Sequence, residues 1–113
     1  YTCCDISEWT TAEALNKGYG ELSKEDFEKF IELSPSCKGG KRKIKTKILL
    51  QLGAKDKRTP APQSIEFYRN LKKEGVSIEC NLYPEEGHSI ANTLESEFDD
   101  DLRSLLFFEE NLR

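Results

Sequence analysis

Ile48-Leu49-Leu50-Gln51-Leu52 is a short, nearly continuous apolar run between two loops. A run of this kind suits a strand buried on both faces, as in a parallel sheet, and so demands covering layers on either side. The residues that follow fit that requirement. Residues 64–74 read as a helix with Ile65, Tyr68 and Leu71 on one stripe. Lys72 and Lys73 suit its C-terminal dipole, and Gly75 is placed to end it. From Val76 to Tyr83 the chain alternates: Val76, Ile78, Cys80 and Leu82 point one way, Ser77, Glu79 and Asn81 the other. That is a strand with one covered face, nearer the edge of a sheet, and Pro84 stops it. Strand, crossover helix and second strand make a right-handed parallel unit.

Helices flank this unit. Ser23 offers an N-cap with Asp26 in a variant capping box, followed by Phe27, Phe30 and Ile31 at helical spacing and a stop before Pro35. A last helix is expected from about Leu94 to Leu112, with Phe98, Leu102, Leu105 and Phe108 along its apolar side and acidic residues crowding its first turns. Residues 1–20 read as irregular, with a short helical possibility near Thr10 to Leu15. Lys38, Lys41, Arg42, Lys43, Lys45 and Lys47 make a basic loop, best read as solvated; no aromatic residue interleaves it to stack on bases. The 113 residues fit one small domain of α/β class. Two parallel strands are few for an independent sheet, so the chain reads as part of a larger one.

Composition narrows the function classes. A net charge of −4 gives no general attraction to nucleic acid or anionic membrane, and no apolar run is long enough to cross a bilayer. The chain begins at Tyr1 without Met or a signal-peptide pattern, as expected of an expressed segment, a processed piece or a proteolytic product. Cys3, Cys4, Cys37 and Cys80 form no C-x-x-C pair, and a single histidine is available to join them on a metal. Reduced thiols are expected, with a disulfide as the alternative in a secretory setting. Neither metal nor cofactor is expected.

Asp56 lies three residues after Gly53, just beyond the buried strand, and His88 five residues after the second strand, in Glu86-Gly87-His88-Ser89. Functional groups in open α/β sheets gather beyond the carboxyl ends of the strands. Neighbouring strands are about 4.8 Å apart, so two such loops can bring a carboxylate to an imidazole. The carboxylate would hold one ring N–H, fix the tautomer and stabilise the imidazolium. Spacing alone leaves open an ordinary carboxylate and an ordinary surface histidine. Gly87-His88-Ser89-Ile90-Ala91 loosely fits a nucleophile elbow, but Ser89 follows both acid and histidine, and its base would be its own chain neighbour. No serine here is a good nucleophile.

The stretch from Leu49 to Pro60, with Gly53-Ala54-Lys55-Asp56 followed by Lys57-Arg58-Thr59-Pro60, resembles the acid-bearing strand and loop of the prolyl oligopeptidase family of serine peptidases. Glu66 to Lys72 is similar to that family's crossover helix, and Leu82-Tyr83-Pro84 with His88 to its histidine strand and loop. Asp5-Ile6, Trp9, Glu13 and Ala14 resemble the stretch after the nucleophile region in the branch that releases N-acylated amino acids; Glu95-Ser96 and the last helix resemble its C-terminus. Thr59 stands where the family usually has valine, and the basic loop is longer than usual. The resemblance implies the C-terminal portion of an α/β-hydrolase fold over residues 1–113, with the Gly-x-Ser-x-Gly-Gly elbow upstream of Tyr1. It implies Asp56 and His88 as catalytic acid and base, acylated peptides as substrate, the rest of the catalytic domain as partner, and a cytoplasmic homo-oligomeric parent. A non-catalytic interaction module descended from a hydrolase, and a thiol-based or metal-binding protein, are the other classes.

A strand built for burial on both faces, lacking one neighbour, presents an unpaired edge and apolar surface. The 113-residue chain on its own is therefore expected to self-associate. Sedimentation equilibrium over a concentration series checks this; a monomer at high concentration with cooperative unfolding would refute it.

Overall fold

A computed structural model describes residues 21–33 and 44–112. The helical possibility near Thr10 to Leu15, Cys3, Cys4, Cys37 and most of the basic loop lie outside the described residues. Five elements follow in order: α1 (Lys24–Leu33), β1 (Ile48–Gly53), α2 (Ala61–Lys73), β2 (Ile78–Tyr83) and α3 (Leu94–Asn111). β1 and β2 pair in parallel from Ile48↔Ile78 to Gly53↔Tyr83. Both strands therefore end level, and their following loops leave the sheet side by side.

The capping box at α1 forms as its sequence implies. Ser23 N–H donates to Asp26 Oδ2 at 2.9 Å, and Asp26 N–H donates to Ser23 Oγ at 3.2 Å. α2 begins earlier than periodicity indicates, at Ala61 after Pro60, with Pro62 in its first turn. Proline is tolerated there because the first-turn N–H groups have no helical partner to lose. Its buried stripe is also rotated, running through Ala61, Ser64, Phe67 and Leu71, while Ile65 and Tyr68 are half-buried at its border. Gly75 ends the helix with φ 79°, a left-handed conformation that glycine adopts without a Cβ penalty.

Pleating sends alternate residues to opposite faces. Leu50, Leu52 and Ile78 form the core with Phe67 and Leu71 of α2, and Ile48 and Cys80 pack against them. Leu71 is fully buried, which stabilises the fold by roughly 1.5–3 kcal/mol. Leu49 apart, the opposite face is mostly polar. Gln51 Nε2 donates to the Asp100 carbonyl at 3.0 Å and to Ser104 Oγ at 2.9 Å, while Gln51 Oε1 accepts from Asn81 at 3.5 Å. The Tyr83 hydroxyl donates to Asp99 at 2.9 Å. Its own burial, with Asp99 and Asp100 nearby, pushes the phenol up to about 12, so it remains a donor at neutral pH.

α3 thus docks by its polar side, and the expected apolar stripe looks elsewhere. Phe98, Leu102, Leu105 and Phe108 are all exposed, and no residue of α3 is buried. The reason is the sheet face itself: Gln51, Asn81 and Tyr83 reward hydrogen-bonding partners over methyl groups. Thr93 caps α3 by accepting the Ser96 N–H at 3.2 Å, and Glu95 and Glu97 occupy its first turn.

Where the strands end, two loops are stitched together. Ala54 N–H donates to the Tyr83 carbonyl at 2.9 Å and Lys55 N–H to the Glu86 carbonyl at 2.8 Å. Contact is so close that a Cβ on Gly53 would stand 2.0 Å from the Gly87 carbonyl oxygen and 2.6 Å from that of Glu86. Glycine is the residue that permits backbone to approach backbone at this distance. A Cβ on Gly87 would meet nothing within 4 Å. Gly53→Ala is therefore expected to lower stability by about 1–3 kcal/mol through overpacking, while Gly87→Ala changes it by at most about 0.5 kcal/mol. Urea unfolding of the two variants measures the contrast, and equal effects would refute the close-approach assignment.

Candidate active site

Asp56 sits in the turn after β1, with its N–H donating to the Gly53 carbonyl at 3.1 Å. Its side chain is 8% exposed and its oxygens are fully engaged. Oδ1 accepts the Arg58 N–H at 2.8 Å and the Thr59 N–H at 3.0 Å. Oδ2 accepts the Thr59 hydroxyl at 2.8 Å and faces His88 Nδ1 at 2.8 Å. An aspartate that bonds the backbone two and three residues on is a local turn device, and it aims the carboxylate away from solvent.

Burial alone raises the Asp56 carboxyl. The Thr59 N–H, the His88 ring, the Thr59 hydroxyl and the Arg58 N–H outweigh it, bringing the pKa from an ordinary 3.8 to about 2. Asp56 is therefore ionised throughout the neutral range. An anionic acceptor at Nδ1 favours the tautomer protonated there, leaving Nε2 with a free lone pair. The His88 side chain is 38% exposed, so the ring is anchored on one nitrogen and open to solvent elsewhere. Such a ring can take a proton at Nε2 and return it, and the carboxylate stabilises the imidazolium between the two events.

Asp56 and His88 also line a groove of about 350 Å³ that runs along β1, with Thr59, Ser64 and residues 49–53. At the loop rim, Lys55 and Glu85 form an exposed ion pair, which contributes little in water. Ser89 is exposed on the chain next to His88.

Both residues singled out in the sequence are thus brought together, because the two parallel strands end level. Three contributors were missed. Thr59 was noted only as a departure from valine, yet its hydroxyl is a donor to Asp56; the Asp-x-x-Thr spacing is the signal that would have found it. Gly53 was read as a loop residue, although it sets the distance between the loops. Glu86 is fully buried, which nothing in its acidic surroundings indicates.

The family model described as the prolyl oligopeptidase family matches residues 1–113. The chain belongs to the prolyl oligopeptidase family. Among its relatives, the acylamino-acid-releasing enzyme of Arabidopsis thaliana is 34% identical over 89 residues, 76% of this chain and 11% of that protein. The enzyme of the same name from Rattus norvegicus is 36% identical over 69 residues, 61% of this chain and 9% of its own length. The structure of Pyrococcus horikoshii acylaminoacyl peptidase superposes with a TM-score of 0.65 at 27% identity, covering 92% of this chain and 18% of that one. The chain therefore spans about a tenth of the curated relatives it matches, and its parallel strands with their helices are part of an α/β-hydrolase fold.

Because Asp56 is bonded in the folded state, its depressed pKa is a stability statement with a definite sign. Its contribution is present above the unfolded value of 3.8 and is lost as pH falls from there through about 2. The depression corresponds to about 2 kcal/mol. The stability advantage of the unaltered chain over Asp56→Asn is expected to shrink by about that amount between pH 6 and pH 2 in urea unfolding, and a pH-independent difference would refute it.

Proposed function

We propose that this chain supplies the acid and the base of a serine-peptidase triad, in a parent protein that releases N-acyl amino acids from blocked peptides. The reading rests on one observation above the others. His88 Nδ1 is held at 2.8 Å by a buried, ionised Asp56 while the ring stays open to solvent, in a chain of a serine-peptidase family. The names of the similar enzymes support the substrate class.

In this mechanism a serine outside the chain attacks the scissile carbonyl. His88 Nε2 accepts the hydroxyl proton as the new bond forms, and delivers it to the departing amine. Asp56 stays ionised throughout, holding Nδ1–H and offsetting the imidazolium charge. Water then repeats the sequence on the acyl-enzyme, with His88 again taking and returning a proton. The oxyanion donors belong to the same upstream part. Among the described residues no strand pairs with the far edge of β1, where further strands of the sheet would add and join that upstream part to this one. A cytoplasmic, homo-oligomeric parent accompanies the reading.

In the protein that carries the serine, Asp56→Asn is expected to lower kcat roughly 10⁴-fold with little change in KM, and His88→Ala to abolish turnover. The 113-residue chain alone is expected to hydrolyse no acyl-peptide above background, because a triad works as a unit. Near-normal turnover in either variant would remove that residue from the mechanism. Activity in the isolated chain that vanished with Ser89→Ala would replace the reading altogether.

A further inference from the structure

His88 lies in the connection between β2 and α3, and Asp56 holds only one of its ring atoms. The rest of the ring's placement depends on the backbone of that connection. Ile90, two residues beyond His88, has φ 49°, a left-handed conformation in which a β-branched side chain is strained, and its side chain is buried. Such conformations persist only where surrounding structure over-determines them.

Glu86 provides that determination. Its side chain is fully buried, and its Oε2 accepts the Asn92 N–H at 2.8 Å. Asn92 Nδ2 in turn donates to the Glu85 carbonyl at 3.3 Å. Both bonds close the same neck, so Gly87, His88, Ser89, Ile90 and Ala91 form a loop clasped at its base. The Glu86 backbone is fixed as well: its N–H donates to the Tyr83 carbonyl at 3.3 Å, and its carbonyl accepts the Lys55 N–H at 2.8 Å. One residue thus ties the histidine loop to the acid loop through its backbone and to the start of α3 through its side chain. A carboxylate there also meets the N-terminal end of a helix, where negative charge is favoured.

We propose that Glu86 is a positioning residue for His88: its buried carboxylate clasps the Asn92 N–H, holds the strained turn at Ile90, and so keeps the imidazole over Asp56. This rests on the His–Asp pair of the proposed function and adds the device that maintains it. The clasp works by accepting a hydrogen bond, not by acting on the ring with its charge. A glutamine, whose amide oxygen can accept the same N–H, should therefore replace it, and an alanine should not.

The chain has one histidine, so imidazole NMR reads His88 without ambiguity. At mildly alkaline pH, the unaltered chain should give a far-downfield, exchange-protected Nδ1–H resonance with the ¹⁵N shifts of a single tautomer. Asp56→Asn should lose that resonance, which assigns it to the pair. Glu86→Ala should lose it and give averaged tautomer shifts, while amide signals from β1, β2 and α2 persist. Glu86→Gln should keep most of its intensity. A resonance retained in Glu86→Ala would overturn the positioning role and leave the pair standing. One lost from Glu86→Gln as completely as from Glu86→Ala would overturn the clasp; should the alanine variant fail to fold, the glutamine result decides alone. Its absence from the unaltered chain would sink the pair and the positioning role together.

Discussion

Parallel pairing of Ile48–Gly53 with Ile78–Tyr83 is the constraint on which the rest depends. Parallel strands run from the same end of the sheet, so their C-terminal ends lie together whenever the register is level. Here Gly53 stands opposite Tyr83, and the two loops that follow are neighbours before either has formed a turn. The crossover helix α2 serves this pairing. Its Phe67 and Leu71 bury the apolar face formed by Leu50, Leu52 and Ile78, and the free energy of that burial fixes which residues oppose one another. A slip by one position would turn Leu50 and Leu52 outward and carry Asp56 away from His88.

Level strand ends give proximity; backbone bonds and one missing Cβ give precision. The loops touch through the Ala54 and Lys55 N–H groups and across Gly53, close enough that no other side chain fits at that position. Asp56 is then over-supplied with donors, two from backbone and two from side chains. That surplus outweighs the burial, which by itself would raise the carboxyl. A buried acid that stays charged, set against a ring that stays accessible, is the asymmetry acid–base chemistry at an imidazole requires.

The two faces of the sheet are covered by different physics. α2 packs on methyl and phenyl groups, whereas α3 is held through Gln51, Tyr83, Asp99 and Ser104. Arg103 adds an ion pair to Asp99 at 2.6 Å on the same helix. Most apolar residues of α3 are left exposed in consequence, from Leu94 at 78% to Leu102 at 39%. A row of that size is uncommon on the surface of a self-sufficient domain. It accords with a chain that spans less than a fifth of the peptidase structure it resembles.

What could be read from the residues alone was set by local physics. The continuous apolar run at Ile48–Leu52, the alternation from Val76, the Ser23–Asp26 box and the glycine after α2 each act within a few residues, so the order of elements and the parallel unit follow from them. Asp56 and His88 were legible as candidates because their distance from the strand ends is itself a local property. The start of α2 was misplaced because proline both breaks helices and opens them, and its neighbours do not tell which. Only the tertiary structure decided which face of α3 meets the sheet, since that depends on Gln51, Asn81 and Tyr83 lining up across two strands. It alone buried Glu86 and required glycine at 53, because both roles arise where β1 and β2 deliver segments some thirty residues apart to within a hydrogen bond of one another.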